Sequence, residues 1–162
     1  GSGVWVNKRE SNLLDGAAHF YDTYVCKDGK YIAVACIEDK FYREMLNKLE
    51  ILDEKFSKQF NKDIWPELKS MLEEKFLSKN RDEWAMIFED SDACITPILD
   101  LDEAPKHEHN KSRSTFIERD GVVQPNPSPR FSETPLEIKS SPKKIGEDNV
   151  LISEKYNINL ES

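Results

Sequence analysis

The sequence predicts an α+β fold: a small domain with an antiparallel β-hairpin and about three packed helices, followed by an extended Pro-rich tail and a short C-terminal helix. Three observations predict it. Two runs rich in aromatic and β-branched residues flank the pair Asp28-Gly29, a strong hairpin signal. Three later stretches carry apolar residues at helical spacing. Beyond them Pro125, Pro127, Pro129 and Pro135 punctuate a polar segment that has no such periodicity.

The elements follow in order. Asn12-Leu13-Leu14-Asp15-Gly16 reads as a turn. HFYDTYVC, residues 19–26, is the first strand, and residues 31–37 are the second, joined through Lys27-Asp28-Gly29-Lys30. Residues 39–50 place Phe41, Tyr42, Met45, Leu46 and Leu49 on one helix face, with Asp39 near the first turn, where a negative charge suits the helix dipole. Residues 51–62 read as a polar loop. A second helix opens at Ile64-Trp65-Pro66, with Asp63 as its expected cap, and carries Trp65, Leu68, Met71, Leu72 and Phe76 as a stripe. A third helix starts near Arg81: Asn80 and Glu83 have capping-box spacing, and Trp84, Ile87 and Phe88 face inward. In Asp92–Leu99, Pro97 excludes a regular central strand and leaves a brief strand or extended segment against the core. Leu101–Lys106 reads as one helical turn, Ser114–Glu118 as an edge strand closed by Asp120-Gly121, and Ile145–Tyr156 as a terminal helix.

This divides the chain into a linker and chain start (1–12), a small α+β domain (13–124) and a Pro-rich tail (125–162). Gly1-Ser2-Gly3 reads as a cloning scar and Val4-Trp5-Val6 as the middle of something rather than a natural beginning. No signal-peptide pattern opens the sequence.

The length of 162 residues suits about one domain. With 23 Lys+Arg against 31 Asp+Glu and a net charge of −8, the chain is acidic. That composition argues against a general phosphate-backbone binder, so no nucleic-acid partner is expected, although a few local Lys or Arg can still hold a small anion. Mean hydropathy is −0.68, and the apolar deficit is concentrated in residues 101–149, so a single core-forming region is expected upstream of them. Cys26, Cys36 and Cys94 are odd in number and have no metal-site spacing, which favours buried free thiols in a reducing compartment. No apolar run reaches the length of a membrane span, so no membrane partner is expected.

Candidate chemistry is sparse. The local motifs build no Ser/His/Asp arrangement and no phosphate-cradling glycine loop. His107 and His109, with Glu103 and Glu108 nearby, sit in sequence that reads as an exposed loop rather than a ligand set. His19 reads as a partly buried, hydrogen-bonded histidine. Tyr21 and Tyr24 lie three apart and so face opposite sides of their strand, one toward the core and the other toward a surface or cleft. Glu38 stands between strand and helix. By pattern it is a helix-start carboxylate; the other reading is a carboxylate at the rim of an apolar strand, able to orient a histidine.

Several ordered segments carry a family resemblance: LLDGAAHFYDTY, DGKYIAVACIEDKFY, IWPELKSMLEEKF, SDACITPIL, HEHNKSRSTF and PNPSPRF. Together, over roughly residues 5–135, they resemble the C-terminal part of α-methylacyl-CoA racemases, members of the family III CoA-transferase superfamily. Each segment alone is weak, and their order and spacing make the match specific. The resemblance implies an intact enzyme about twice this length, with a large α/β domain built from both chain ends, a smaller α+β domain between, and two subunits interlocked as a homodimer. The present chain corresponds to the small domain, and its Pro-rich segment to the linker returning to the large one.

The implied reaction epimerises the 2-methyl centre of a branched-chain acyl-CoA by proton abstraction and re-addition through an enolate. It needs no redox cofactor and no metal, CoA being part of the substrate. The family's catalytic His and Asp lie in the large domain, upstream of these residues, so the chain alone is expected to be inactive. What the resemblance assigns here is an auxiliary catalytic role for Glu38, orienting or electrostatically tuning that His, and a substrate-cleft position for Tyr21. The family pattern is departed from at Ala35 (Gly), Cys36 (Ala), Asp39-Lys40 (Pro-Gln) and His19 (Pro). The alternatives are a family III CoA-transferase fragment, working through a covalent Asp thioester elsewhere, and a non-catalytic oligomerisation module. The resemblance implies a mitochondrial or peroxisomal location, with the cytoplasm otherwise; the final Leu160-Glu161-Ser162 does not match a Ser-Lys-Leu-type tripeptide.

Overall fold

The computed structural model of the chain describes residues 5–159. Gly1–Gly3, read above as a cloning scar, together with Val4 and the terminal Leu160-Glu161-Ser162, lie outside the described residues. The chain divides into two compact units, one running through Leu99 and the other beginning at Asp100. The boundary follows packing, whereas the division drawn at residue 125 follows composition.

In the first unit, β1 (Tyr21–Val25) and β2 (Tyr31–Ala35) form the expected hairpin, and β3 (Ile95–Pro97) adds to the far side of β2. All pairings are antiparallel, with Tyr21 opposite Ala35, Tyr24 opposite Ile32 and Val34 opposite Ile95. Gly29 closes the hairpin with φ +77, donating its N–H to Cys26 O at 2.9 Å; glycine meets this left-handed backbone without steric cost. Pro97 is tolerated because β3 is an edge strand.

Both strands are shorter than expected, for identifiable reasons. Tyr21 N–H bonds back to Ala18 O at 2.9 Å, so His19 and Phe20 sit in a turn before β1 and are buried by it. At the far end Ile37 N–H bonds to Ala35 O at 3.1 Å, an i→i+2 bond of the γ-turn kind that ends β2.

Helices α1 (Asp39–Lys48), α2 (Trp65–Phe76) and α3 (Arg81–Phe88) follow the expected stripes. Tyr42 and Met45 of α1, Trp65, Leu68, Leu72 and Phe76 of α2, and Trp84 and Phe88 of α3 are buried. They pack with Phe20, Tyr24, Ile32 and Val34 into one core. Full burial of each such apolar side chain stabilises by roughly 1.5–3 kcal/mol. Aromatic contacts order the core: Tyr24 and Phe76 rings lie 5.0 Å apart, Phe76 and Trp84 5.5 Å. The Trp84 indole donates to Phe76 O at 2.9 Å, satisfying its polar edge.

Residues 51–62, expected as a polar loop, instead hold a 3-10 turn over Glu54–Lys58 and lead into another at Lys62–Ile64, and they bury Phe56 and Gln59. Asp63 does not cap α2. The chain enters the helix directly from the second 3-10 turn, so Ile64 occupies the cap position without a side-chain bond, and Asn61 caps the turn instead. The capping box at α3 forms as expected, with Glu83 accepting from the Asn80 N–H at 2.8 Å.

The second unit contains a two-stranded hairpin, β4 (Phe116–Arg119) against β5 (Val122–Pro125). Asp120 and Gly121 join them with φ +50 and +78, the double left-handed pattern of the preferred two-residue hairpin turn. Around it lie a 3-10 turn at Ala104–Lys106, α4 (Glu108–Ser112) and α5 (Asn149–Tyr156). The region of His107 and His109 is thus a short helix start, not an open loop. None of the described residues beyond Leu99 is buried, so the core lies wholly in the first unit. No helix among the described residues is long and apolar enough to cross a membrane.

Candidate functional site

Tyr21 opens β1 and Glu38 follows β2 by three residues, so both emerge at the end of the hairpin opposite its Asp28-Gly29 turn. Tyr21 is half-buried against the rim of the core. Its strand neighbour Tyr24 points the other way, fully buried, with its hydroxyl donating to His19 O at 2.5 Å. The two tyrosines divide as their spacing predicts. Ala35, directly across from Tyr21, also pairs through its N–H with Cys94 O at 3.1 Å. A small side chain therefore lies between Tyr21 on one side and Cys94 on the other.

Glu38 occupies the cap position of α1 with φ −74 and ψ 141, and its carbonyl accepts the Tyr42 N–H at 2.9 Å. Its side chain makes no capping bond and is exposed. The neighbouring charges are committed elsewhere. Asp39 takes Arg43 in a two-point pair, with Nε to Oδ1 at 2.9 Å and a second guanidinium nitrogen to Oδ2 at 2.8 Å. Lys40 pairs with Asp92 at 2.9 Å, and Glu44 accepts the Asp92 N–H at 3.2 Å. The two carboxylates that adjoin in sequence are thus in different states: Asp39 is tied to its own helix, and Glu38 stands clear of it.

The thiols near this end are held protonated. Burial foremost, then nearby Cys94 and Glu38 among others, push Cys36 up to about 12, and its thiol donates to Ala93 O at 2.6 Å. Cys94 is exposed with φ +50, and partial burial together with Glu38, Asp92 and Glu44 raises its thiol. Neither is an activated nucleophile.

His19 is fully buried rather than partly so, with Nε2 against the Tyr42 hydroxyl at 2.8 Å. Burial lowers it to about 4, so it is neutral at physiological pH and cannot shuttle protons there. His107 and His109 belong to the other unit, and no three His, Cys, Asp or Glu stand together as metal ligands among the described residues. The described residues therefore assemble no acid–base pair around Glu38. What its exposed carboxylate can do is accept a hydrogen bond from, or stabilise, a cationic group supplied by another segment.

One residue near the site escaped sequence reasoning. Gln59, in the stretch taken for a polar loop, is buried and donates to Cys36 O at 3.0 Å and Ile37 O at 2.9 Å. Nothing local marks a glutamine 23 residues downstream as a partner of this joint; only the fold brings them together.

Residues 4–149 match the sequence model of CoA-transferase family III. The chain is 38% identical to the alpha-methylacyl-CoA racemase of Mus musculus over 162 residues, covering 98% of this chain and 42% of the racemase. It is 38% identical to the racemase of Homo sapiens over 161 residues with the same coverage. A CaiB/baiF CoA-transferase family protein of Caenorhabditis elegans is 33% identical over 135 residues, or 81% of this chain and 37% of that one. Among solved structures, a CAIB/BAIF family protein from Brucella suis superposes with a TM-score of 0.66 at 24% identity, over 83% of this chain and 37% of that chain. Rv3272 from Mycobacterium tuberculosis gives 0.65 at 16% identity, over 83% and 39%. These structural matches establish likeness of fold. The chain spans 42% of the length of the racemases it matches.

Proposed function

Since the chain belongs to CoA-transferase family III, we propose that it is the small-domain part of an α-methylacyl-CoA racemase, which epimerises the 2-methyl centre of branched-chain acyl-CoA thioesters. The observation that carries this reading is the 38% identity to mouse and human racemases across 98% of the chain.

The chemistry sets what such an enzyme requires. The proton next to a thioester carbonyl is removed by one group, and another returns a proton to the opposite face. The enolate between them needs its oxyanion stabilised. In this reading the His and Asp that move the proton belong to the large domain of the same enzyme, and a homodimer of interlocked subunits sets the small domain of one against the large domain of the other. Glu38 contributes an auxiliary carboxylate that orients or electrostatically tunes the His, and Tyr21 lines the acyl-CoA cleft. Two features support these roles: the Glu38 carboxylate is exposed and free of capping duty, and both residues lie at the same end of the hairpin.

The test is deuterium exchange at the α-carbon of a 2-methylacyl-CoA. The expected result is no exchange above the solvent background from the chain alone, and exchange from the enzyme that includes the large domain. Turnover by the chain alone would reject the assignment of the proton-moving groups to another domain. A second reading, a CoA-transferase part, is favoured by the 33% identity to the CaiB/baiF CoA-transferase family protein. It predicts transfer of CoA between two acyl groups and no exchange at the α-carbon.

A further inference from the structure

We propose that Gln59 is a positioning residue for Glu38, fixing the strand exit from which that carboxylate projects. The proposal rests on the auxiliary role read above for Glu38. Gln59 is 7% exposed and follows the 3-10 turn Glu54–Lys58. Its side-chain amide has two N–H donors, and its nitrogen lies 3.0 Å from Cys36 O and 2.9 Å from Ile37 O. Those are the carbonyls of the two residues immediately before Glu38, past the last residue of β2, where the ladder no longer supplies donors. The Cys36 bond is buried and the Ile37 bond partly so, and a carbonyl out of water without a donor is unfavourable, so both peptide units are held in the orientation that presents them to the amide.

Gln59 is itself anchored. Its backbone carbonyl accepts the Trp65 indole N–H at 2.7 Å, and Trp65 is buried at the start of α2. A continuous chain of bonds thus runs from α2 through Gln59 to the joint between β2 and α1. Cys36 is further held by its N–H to Phe20 O at 2.9 Å and its thiol to Ala93 O at 2.6 Å. The joint is therefore clamped from the turn before β1, from the segment before β3, and from Gln59. Of these, only Gln59 reaches the peptide unit that leads directly into Glu38. Rotation of that unit swings the Glu38 side chain, and a carboxylate acting on another group depends on such support to within a fraction of an ångström.

The experiment is a double-mutant cycle on α-proton exchange in the full-length enzyme carrying this domain. Gln59→Met keeps the length and removes both donors. Expected is a fall in kcat of about tenfold with KM within about twofold, and less than about a 1.5-fold further loss when Glu38→Gln is already present. An equal loss in both backgrounds, a change in KM alone, or no loss would overturn the proposal while leaving Glu38 intact. If Glu38→Gln by itself leaves the rate unchanged, the role of Glu38 fails, and the proposal falls with it by a separate, identifiable result. Gln59→Glu supplies the second variant, for use if Gln59→Met does not fold. A carboxyl at this position donates one of the two bonds only when protonated, so the ratio of native to variant kcat narrows as pH falls. A ratio independent of pH would overturn the proposal.

Discussion

The His19 imidazole and the Tyr42 hydroxyl meet at 2.8 Å inside the core, joining the turn before β1 to the first turn of α1. His19 also makes edge-on ring contacts with Phe20, Tyr42 and Phe56. Apolar surroundings disfavour the charged imidazolium, which is why burial lowers His19 from 6.5 to about 4.

That shift makes stability depend on pH. The folded value lies below the unfolded one, so the unfolded chain binds the extra proton first. The contribution is fully present above about pH 6.5 and is lost as pH falls toward 4. The loss is about 3 kcal/mol. Denaturant unfolding of the native chain and of His19→Gln across this range measures it: the native chain's stability relative to the variant should fall by about that amount. A difference that does not vary with pH would contradict a neutral buried His19.

Glu38 and Asp39 should separate under mutation. Asp39→Ala removes an exposed pair with Arg43 and should cost less than about 0.5 kcal/mol of stability, with little effect on α-proton exchange. Glu38→Gln should leave unfolding unchanged and slow exchange in the full-length enzyme by about tenfold or more. Comparable exchange rates in the two variants would return Glu38 to a plain helix-start residue.

Gly16 is expected to resist replacement. Its φ is +90, and an added Cβ would stand 3.3 Å from Asp22 Oδ1. Its carbonyl accepts from Lys69 Nζ at 2.9 Å, and Lys69 also pairs with Asp22. Gly16→Ala should therefore destabilise by about 1–2 kcal/mol through backbone strain alone, with disturbance of the Asp22–Lys69 pair adding to it. Thermal unfolding checks this, and an unchanged Tm would mean that the turn tolerates a side chain.

Thiol accessibility gives a further check. Burial foremost raises Cys26 to about 11 and Cys36 to about 12, and both are shielded. Iodoacetamide at neutral pH should modify Cys94 alone in the folded chain, slowly because its thiol is also raised, and all three thiols in denaturant. Mass spectrometry of the modified peptides reads the result. Rapid native labelling of Cys36 would contradict its place in the core.

Much of the fold is written in short-range pattern. The hairpin at Asp28-Gly29, the stripes of α1, α2 and α3, the Asn80/Glu83 capping box and the Asp120-Gly121 turn each depend on residues within a few positions of one another, where spacing alone sets which side chains share a face or a backbone bond. The identities of Glu38 and Tyr21 as candidates also came from sequence, through family resemblance rather than pattern. What only the tertiary structure decided is the condition of the groups around them. Whether Glu38 caps its helix depends on where its side chain turns once Asp39, Lys40 and Arg43 have taken their partners. His19 is buried outright because the Ala18–Tyr21 turn folds it inward. Gln59 meets Cys36 and Ile37 because α2 holds it there through Trp65. Periodicity records neighbours along the chain, whereas burial and long-range hydrogen bonds are settled by what the other elements place alongside, and no local pattern carries that information.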